Sequence, residues 1–275
     1  MVAIVFINIY GVPFTSYAGR QGQRRIEAFK SLSLIADLKK ERLLRWIEER
    51  NDDIHVFSSN GLVVANVVWL HDEIEKHKME GKKDAELWSL MRRRDSYQIL
   101  IKIMNSTRET YGVYDKIQIA DAETGLIYIS TNDKDLGTDI SQESYFTGAL
   151  MSHEYYITNI QLAQQSRTPV FYMSHVIKDT DGETIALMVM EVNAEDMLKP
   201  MLHTGEGLGA RGEALLVNQD ARILTSLKHP LPDRTYAKPL EYRIKAKPAS
   251  LAARGEEGII ESQDYRGEPV LAAYR

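Results

Sequence analysis

The chain has 275 residues, a formal net charge of −5 at pH 7 and no cysteine. Its hydrophobic (44%) and charged (27%) fractions are typical of a soluble globular protein of one or two domains. The acidic balance argues against a nucleic-acid partner, and the lack of cysteine excludes disulfides, thiolate catalysis and Cys-ligated metals.

The first residues form an apolar run, VAIVFINIY at Val2–Tyr10. It is shorter than the roughly 20 residues that span a bilayer, and it lacks the charged start and cleavage site of a signal peptide. Two interpretations stay open: residues 1–18 are the outer end of a transmembrane segment, or the run is a buried strand or helix start. Its terminal position, just before a polar helix, favours the first.

A long helix is predicted next, and we assign residues 19–66 to it as a stalk. Apolar residues recur at steps of three and four from Ile26 to Ile47, with one five-residue step after Leu38, and charges lie on the other face. No Pro or Gly interrupts Gln23–Asn51, and such a helix would be about 45 Å long. It is long enough to stand off from a membrane, pack along two domains or pair with a second copy, although packing within its own chain is an equal alternative.

The following region is predicted to be further helix, with a charged connection at His71–Lys83 before a helix over Asp84–Thr107. His71 and His77 are six residues apart, a spacing that fits no helical metal pair, so both are predicted at the surface. The basic run Arg92–Arg94 is interpreted as a solvated face and only secondarily as an anion site.

Residues Asp115–Val192 predict an antiparallel sheet interrupted by one helix, which places the chain in the α+β class. Polar, Gly-containing turns at Ala122–Gly125 and Asp179–Gly182 join β-branched and aromatic runs. Asn193 is a predicted N-cap of the helix that follows.

A second, weaker copy of this pattern follows a glycine-rich joint at Gly205–Gly212. Strands are predicted at Glu213–Asn218 and Ile223–Ser226, and a later hairpin turns at Asp264–Gly267. The second copy has fewer strands than the first, so we expect it to be smaller or truncated.

This ordered set of segments resembles the double Cache (tandem PAS-like) extracytoplasmic sensor region of bacterial transmembrane receptors. Tyr145-Phe146 in the short helix, Thr168-Pro169 before a strand, and the turns at Asp181-Gly182 and Asp264–Gly267 fall in family order. The resemblance implies a membrane-distal ligand-binding module at 67–202 and a membrane-proximal module at 203–275. It is greatest for sensor histidine kinases of two-component systems; chemoreceptors and diguanylate cyclases are the alternatives.

In this family the distal module binds its ligand between one sheet face and the helix that covers it. We expect the period of two along each strand to bring together a pocket for a small polar organic molecule. The predicted site residues are Tyr128, Ser130, Asn132, Tyr145, Tyr172, Ser174, Met188 and Glu191.

One Cache subfamily recognises amino acids through an Arg-x-Trp-Tyr cluster in the cover helix. This chain has Gln142, Ser144 and Tyr145 at the corresponding positions, and only the tyrosine matches. An Arg clamp for a carboxylate is therefore absent, whereas Glu191 could face an amine or be a solvated strand-end residue.

We expect no enzymatic activity of this fragment, no catalytic or metal site and no cofactor, because no histidine has a partner at catalytic spacing. The expected partners are the small ligand, the membrane through flanking helices, and a second copy through the N-terminal helix. The expected location is the inner membrane, with this region periplasmic or extracellular. A module that only dimerises or binds a partner protein is the second hypothesis.

Overall fold

The computed structural model describes residues 19–79, 84–163, 166–203, 208–209 and 212–275. The predicted membrane segment at residues 1–18 and most of the glycine-rich joint lie outside these ranges. Within them, no helix is both long enough and apolar enough to cross a bilayer.

The described residues form seven helices and eight strands, which confirms the α+β class. The helices are α1 (Gly19–Ser58), α2 (Gly61–Met79), α3 (Asp84–Met91), α4 (Asp95–Tyr111), α5 (Ser144–Ser152), α6 (Ala194–His203) and α7 (Lys247–Ala252). The strands are β1 (Tyr114–Asp121), β2 (Ile127–Ser130), β3 (Tyr155–Ile157), β4 (Gln161–Leu162), β5 (Pro169–Lys178), β6 (Thr184–Asn193), β7 (Gly258–Gln263) and β8 (Pro269–Tyr274).

The chain divides into two compact units. The sheet unit spans Trp46–Met197, and the second unit comprises the residues up to Arg45 and from Leu198 to Arg275. The division into modules at 67–202 and 203–275 stays a prediction.

The long N-terminal helix exists, but α1 ends at Ser58 and not at residue 66. Asn60 starts α2, because its Oδ1 accepts hydrogen bonds from the backbone N–H of Leu62 (2.9 Å) and Val63 (3.4 Å). This side-chain cap competes with continuation of the helix and fixes the break.

Two helix predictions need correction. The expected connection at His71–Lys83 is helical as far as Met79, because Val67, Leu70 and Ile74 bury one face of α2. The helix expected over Asp84–Thr107 is interrupted at Arg92–Arg94, and α4 then runs to Tyr111.

The sheet unit is built on an antiparallel sheet in the order β2-β1-β6-β5-β3, with β4 also pairing with β5. Its register defines two faces. The front face carries Lys116, Gln118 and Ala120 of β1, which pair with Glu191, Val189 and Leu187 of β6. These pair in turn with Tyr172, Ser174 and Val176 of β5.

The front face is covered by α5, which packs on β3, β5 and β6. The buried front core comprises Ala120, Ile127, Ile140, Tyr145, Phe146, Ala149, Leu187 and Val189. On the opposite, back face, α4 packs on β1 and β2, and α2 packs on β6.

The turns of both units repeat one device: an Asp or Asn side chain accepts backbone N–H groups two to four residues ahead. Asp179 Oδ1 accepts from Asp181 and Glu183 (both 2.9 Å). Asp264 Oδ1 does the same for Arg266 (2.7 Å) and Glu268 (3.1 Å). Both predicted hairpins, β5–β6 and β7–β8, are present.

The second unit has a small core of Ile223, Leu227, Ala237, Ile244 and Ala249 and a two-stranded sheet, β7-β8. The regular strands predicted at Glu213–Asn218 and Ile223–Ser226 are wrong, because only an isolated bridge joins Val217 to Ile223. Two backbone hydrogen bonds flank this bridge, from Asn218 N to Arg222 O (2.9 Å) and from Leu224 N to Leu216 O (3.0 Å). The backbone of Ile223 also pairs with a later segment, donating to Tyr242 O (3.1 Å) and accepting from Leu240 N (2.7 Å).

Candidate functional site

A cluster of polar side chains lies on the front face of the sheet unit. Lys116 Nζ lies 3.1 Å from Glu191 Oε2 and 3.3 Å from Asp135 Oδ2. Gln118 Nε2 donates to Asp135 Oδ2 (2.8 Å), and Ser130 Oγ donates to the same atom (3.3 Å). We call these five residues the front-face charge cluster.

The cluster is strongly shielded from solvent, and its charges do not cancel. The side chains of Lys116, Asp135 and Glu191 are 22%, 15% and 13% exposed. Two carboxylates share one ammonium, so the cluster has a net charge of −1. Partial burial strengthens the interactions of this excess charge, which favours a cationic group over an anionic one.

Two stacked tyrosines adjoin the cluster. The rings of Tyr145 on α5 and Tyr172 on β5 lie 4.3 Å apart with an interplanar angle of 25°. Burial raises the pKa of both hydroxyls, and the neighbouring Glu191 carboxylate raises that of Tyr172 further. Both phenols are therefore neutral at physiological pH and can donate hydrogen bonds.

Helix α5 is held closely against the sheet. Ser174 Oγ donates to Tyr145 O (2.7 Å) and to Tyr156 O (3.3 Å), which ties α5 and β3 to β5. A Cβ on Gly148 would lie 2.5 Å from the ring of Tyr156, so only glycine permits this approach. The hydroxyl of Ser174 is already used by these backbone groups.

The structure brings four predicted site residues together: Ser130, Tyr145, Tyr172 and Glu191 belong to the charge cluster or border it. Asn132 is exposed and caps the turn at Asp133–Asp135, where its Nδ2 donates to Asp135 Oδ1 (3.3 Å). It therefore helps to position Asp135.

Tyr128 and Met188 do not belong with the others. A bulge at Ile119/Ala120 breaks the alternation of β1 against β2, so Tyr128 points to the back face. There its hydroxyl donates to Asp121 Oδ2 and lies 3.3 Å from His71 Nδ1. Met188 is three residues from Glu191, and this odd spacing also places it on the back face.

His71 and His77 are not free surface residues, contrary to prediction. His71 Nδ1 lies 3.3 Å from Asp121 Oδ2, a carboxylate that is 2% exposed. His77 is 7% exposed and lies 3.5 Å from Glu73 Oε2 one helical turn away. Across the described ranges no group of three His, Asp or Glu side chains could hold a metal ion.

Sequence reasoning missed Lys116, Gln118 and Asp135. Lys116 and Gln118 are four and two residues before buried Ala120 in the strand KIQIAD, so all three lie on the same face of the sheet. This pattern indicates two polar groups on a covered face. Asp135 carried no such signal, because it lies in the turn after β2 and not in a strand with alternating residues.

Two cavities lie away from the tyrosine stack. A cleft of about 410 Å³ opens beside Trp88 and Arg92 in the sheet unit. Another, of about 510 Å³, opens in the second unit between Tyr242 and Tyr265. The front face itself is largely filled, since Tyr145 and Phe146 are 6% and 4% exposed.

No protein-family model and no curated protein matches the chain. Among solved structures, the sensor domain of the V. cholerae histidine kinase DctB has a TM-score of 0.51 at 11% identity, covering 76% of this chain and 72% of that chain. The ligand-binding domain of the Pseudomonas aeruginosa PAO1 amino acid chemoreceptor PctB, in complex with L-Arg, has a TM-score of 0.50 at 12% identity. It covers 89% of this chain and 80% of that chain.

At these identities the likeness shows a shared fold. The chain shares the fold of these two domains. The fold implied by the sequence resemblance is therefore confirmed.

Proposed function

We propose that this chain is the extracytoplasmic sensor region of a membrane receptor and binds a small polar organic ligand on the front face of its sheet unit. The observation that carries the proposal is the shielded charge cluster next to two stacked tyrosines. Such a combination of an aromatic wall with a few convergent polar groups is typical of small-molecule sites.

The excess carboxylate in the cluster favours a ligand that carries an amine. Its ammonium would pair with Glu191 and lie against the tyrosine rings, where a cation is also favourable. No arginine belongs to the cluster, so a ligand recognised only through a carboxylate fits less well.

Thermal-shift screening of this chain tests the site. We expect amines or amino acids to raise the melting temperature, because ligand that binds only the folded state stabilises it. Glu191→Gln should weaken binding of the best ligand at least tenfold, about 1.4 kcal/mol.

Glu183→Gln is the matched control, since it removes the same charge from an exposed turn of the same unit. Equal loss in both variants would argue against the front-face site.

The second candidate is a module that spaces or dimerises the receptor while a partner protein does the sensing. The filled front core favours it, because Tyr145 and Phe146 leave little room for a ligand. If no small molecule shifts the melting temperature while a partner protein does, this alternative replaces the ligand sensor.

The proposed receptor is a histidine kinase of the inner membrane, with this region periplasmic or extracellular between flanking membrane helices. The alternatives to a histidine kinase are a chemoreceptor and a diguanylate cyclase. Ligand binding would shift a two-state packing equilibrium and pass a signal through the membrane. Autophosphorylation of the full-length receptor in membranes, with and without ligand, tests the kinase assignment.

We also propose a homodimer through α1. Ile26, Leu34 and Leu38 are 48%, 60% and 55% exposed along this helix, which is costly for large apolar side chains unless a second copy covers them. The double change Leu34→Glu and Leu38→Glu is expected to convert a dimer to a monomer in sedimentation equilibrium at micromolar concentration. Lys238→Glu, a charge change at an exposed residue of the second unit outside α1, should leave the dimer intact; a monomeric parent protein would contradict the proposal.

A further inference from the structure

A cleft on the sheet unit lies apart from the front-face charge cluster. It opens at the junction between α3 and α4, beside the turn at Asp133–Asp135. Its volume is about 410 Å³. It is lined by Trp88, Ser89, Arg92, Arg93, Asp133 and Leu136.

The three consecutive arginines of this segment have different surroundings. Arg94 Nη2 lies 3.2 Å from Glu73 Oε2, and its guanidinium lies 5.8 Å from the Trp69 ring. It is thereby held away from the cleft, which leaves Arg92 and Arg93 as the cations in the lining.

The cationic charge of the cleft is weakly compensated. Arg92 Nη1 lies 3.6 Å from Asp133 Oδ2 and its Nη2 donates to Asp133 O (3.4 Å), but these side chains are 42% and 70% exposed. A pair this exposed contributes little and is easily displaced. Arg93 is exposed and makes no ion pair with the described residues. Two guanidinium groups thus share one loosely held carboxylate.

The apolar part of the lining has a fixed position. The Trp88 indole packs so closely on the backbone at Gly137 that a Cβ there would lie 2.6 Å from its Nε1. The Trp88 ring also lies 6.3 Å from that of Tyr128. With Leu136, this indole forms a wall that suits a planar or aliphatic group more than an inorganic ion.

We propose that the cleft is a second binding site, specific for a small organic carboxylate. Its carboxylate would take the place of Asp133 on Arg92 and also pair with Arg93, whose planar guanidinium forks match carboxylate geometry. Its carbon skeleton would contact Trp88 and Leu136. This site has other lining residues than the front-face site and the opposite charge preference, although the turn at Asp133–Asp135 contributes Asp133 to one and Asp135 to the other.

Isothermal titration with benzoate and with succinate, at constant ionic strength set by sodium chloride, tests the proposal. We expect saturable binding of at least one of them by the wild-type chain and none of benzyl alcohol. Arg93→Gln should raise the dissociation constant about tenfold or more, whereas Lys102→Gln, an equal charge loss on α4 outside the lining, should not.

Asp133→Asn should tighten binding severalfold, because it removes the competing carboxylate. A misfolded variant would instead bind more weakly, so a gain in affinity cannot result from misfolding. Glu191→Gln should change this binding far less than Arg93→Gln does, which separates the cleft from the front-face site. Absence of binding by both probes, equal affinity of wild type and Arg93→Gln, or equally tight binding of inorganic phosphate would overturn the proposal.

Discussion

Replacing Gly125 with alanine is expected to destabilise the sheet unit by about 2–5 kcal/mol, measured by urea denaturation. Gly125 has φ +74°, a left-handed conformation that costs an alanine about 1–2 kcal/mol. A Cβ at this position would also lie 2.6 Å from Ser141 N, and overpacking of this kind costs about 1–3 kcal/mol.

The neighbouring backbone has little freedom to relax around the new methyl group. The carbonyl of Gly125 accepts from Ile140 N (3.0 Å), and its own N–H donates to Asp121 O (3.0 Å). Movement of Ser141 away from Gly125 would therefore break a hydrogen bond that closes the loop between β2 and α5.

Gly182→Ala is the matched control. Gly182 has φ +86° in the β5–β6 turn, but a Cβ there meets nothing within 4 Å. It should show only the left-handed cost of about 1–2 kcal/mol. Equal losses in the two variants would show that the approach of Ser141 contributes nothing.

The stability of the sheet unit is expected to fall as the pH drops from 7 to 5, because of a histidine pair on the back face. His175 on β5 is 6% exposed, and its Nε2 lies 3.1 Å from His55 Nδ1 on α1. Its Nδ1 lies 2.8 Å from Val176 O and 2.9 Å from Ser58 Oγ. With the proton on Nδ1, Nε2 accepts from His55, an arrangement that requires a neutral His175.

The sign of the pH effect follows from the direction of the pKa shift. Burial lowers the pKa of His175 below 6.5. The hydrogen bond to the Val176 carbonyl and the charge of Glu154 raise the pKa, whereas the charges of His55 and Lys178 lower it, and the net shift is downward. As the pH falls below 6.5, the unfolded chain takes up a proton that native His175 resists. The free energy of unfolding therefore decreases by up to about 1.4 kcal/mol per pH unit until native His175 also protonates.

Urea denaturation of wild type and of His175→Gln between pH 7.5 and 5 measures this effect. The variant should show a flatter dependence, whereas His153→Asn, at an exposed helix end, should keep the wild-type slope. Buried Asp121 does not contribute to the pH dependence between pH 7.5 and 5. Burial raises its pKa, but hydrogen bonds from Thr124 and Tyr128 lower the pKa more, so the stability that this carboxylate provides is lost only in stronger acid. An unchanged slope in His175→Gln would assign the pH dependence to other groups.

The predictable parts of the fold are those determined by residues close in sequence. The hairpin turns at Asp179–Gly182 and Asp264–Gly267, and the Asn193 cap that accepts from Glu195 N (3.0 Å), each depend on a side chain and backbone a few residues away. The cover helix with Tyr145 followed from the family order of its segments.

The failures have long-range causes. Tyr128 was assigned to the wrong face because a bulge is set by pairing between two strands, and a sequence pattern with a period of two cannot reveal it. Met188 and Glu191 were placed together although their spacing is odd, an error that strict parity would have prevented. The segments expected as strands at Glu213–Asn218 and Ile223–Ser226 are joined by a single bridge, and Ile223 also pairs with a segment near Tyr242 that the sequence pattern did not indicate.

The close packing of α5 on the sheet has a kinetic consequence for the proposed front-face site. At Gly148 the helix backbone packs directly on the ring of Tyr156, and the Ser174 hydroxyl donates a hydrogen bond to the carbonyl of Tyr145. Lifting the helix would break both contacts at once, whereas rotation of the Tyr145 and Tyr172 side chains breaks neither. Ligand exchange would then be gated by two aromatic rotamers, with on- and off-rates set by ring reorientation rather than by the slower movement of a backbone lid.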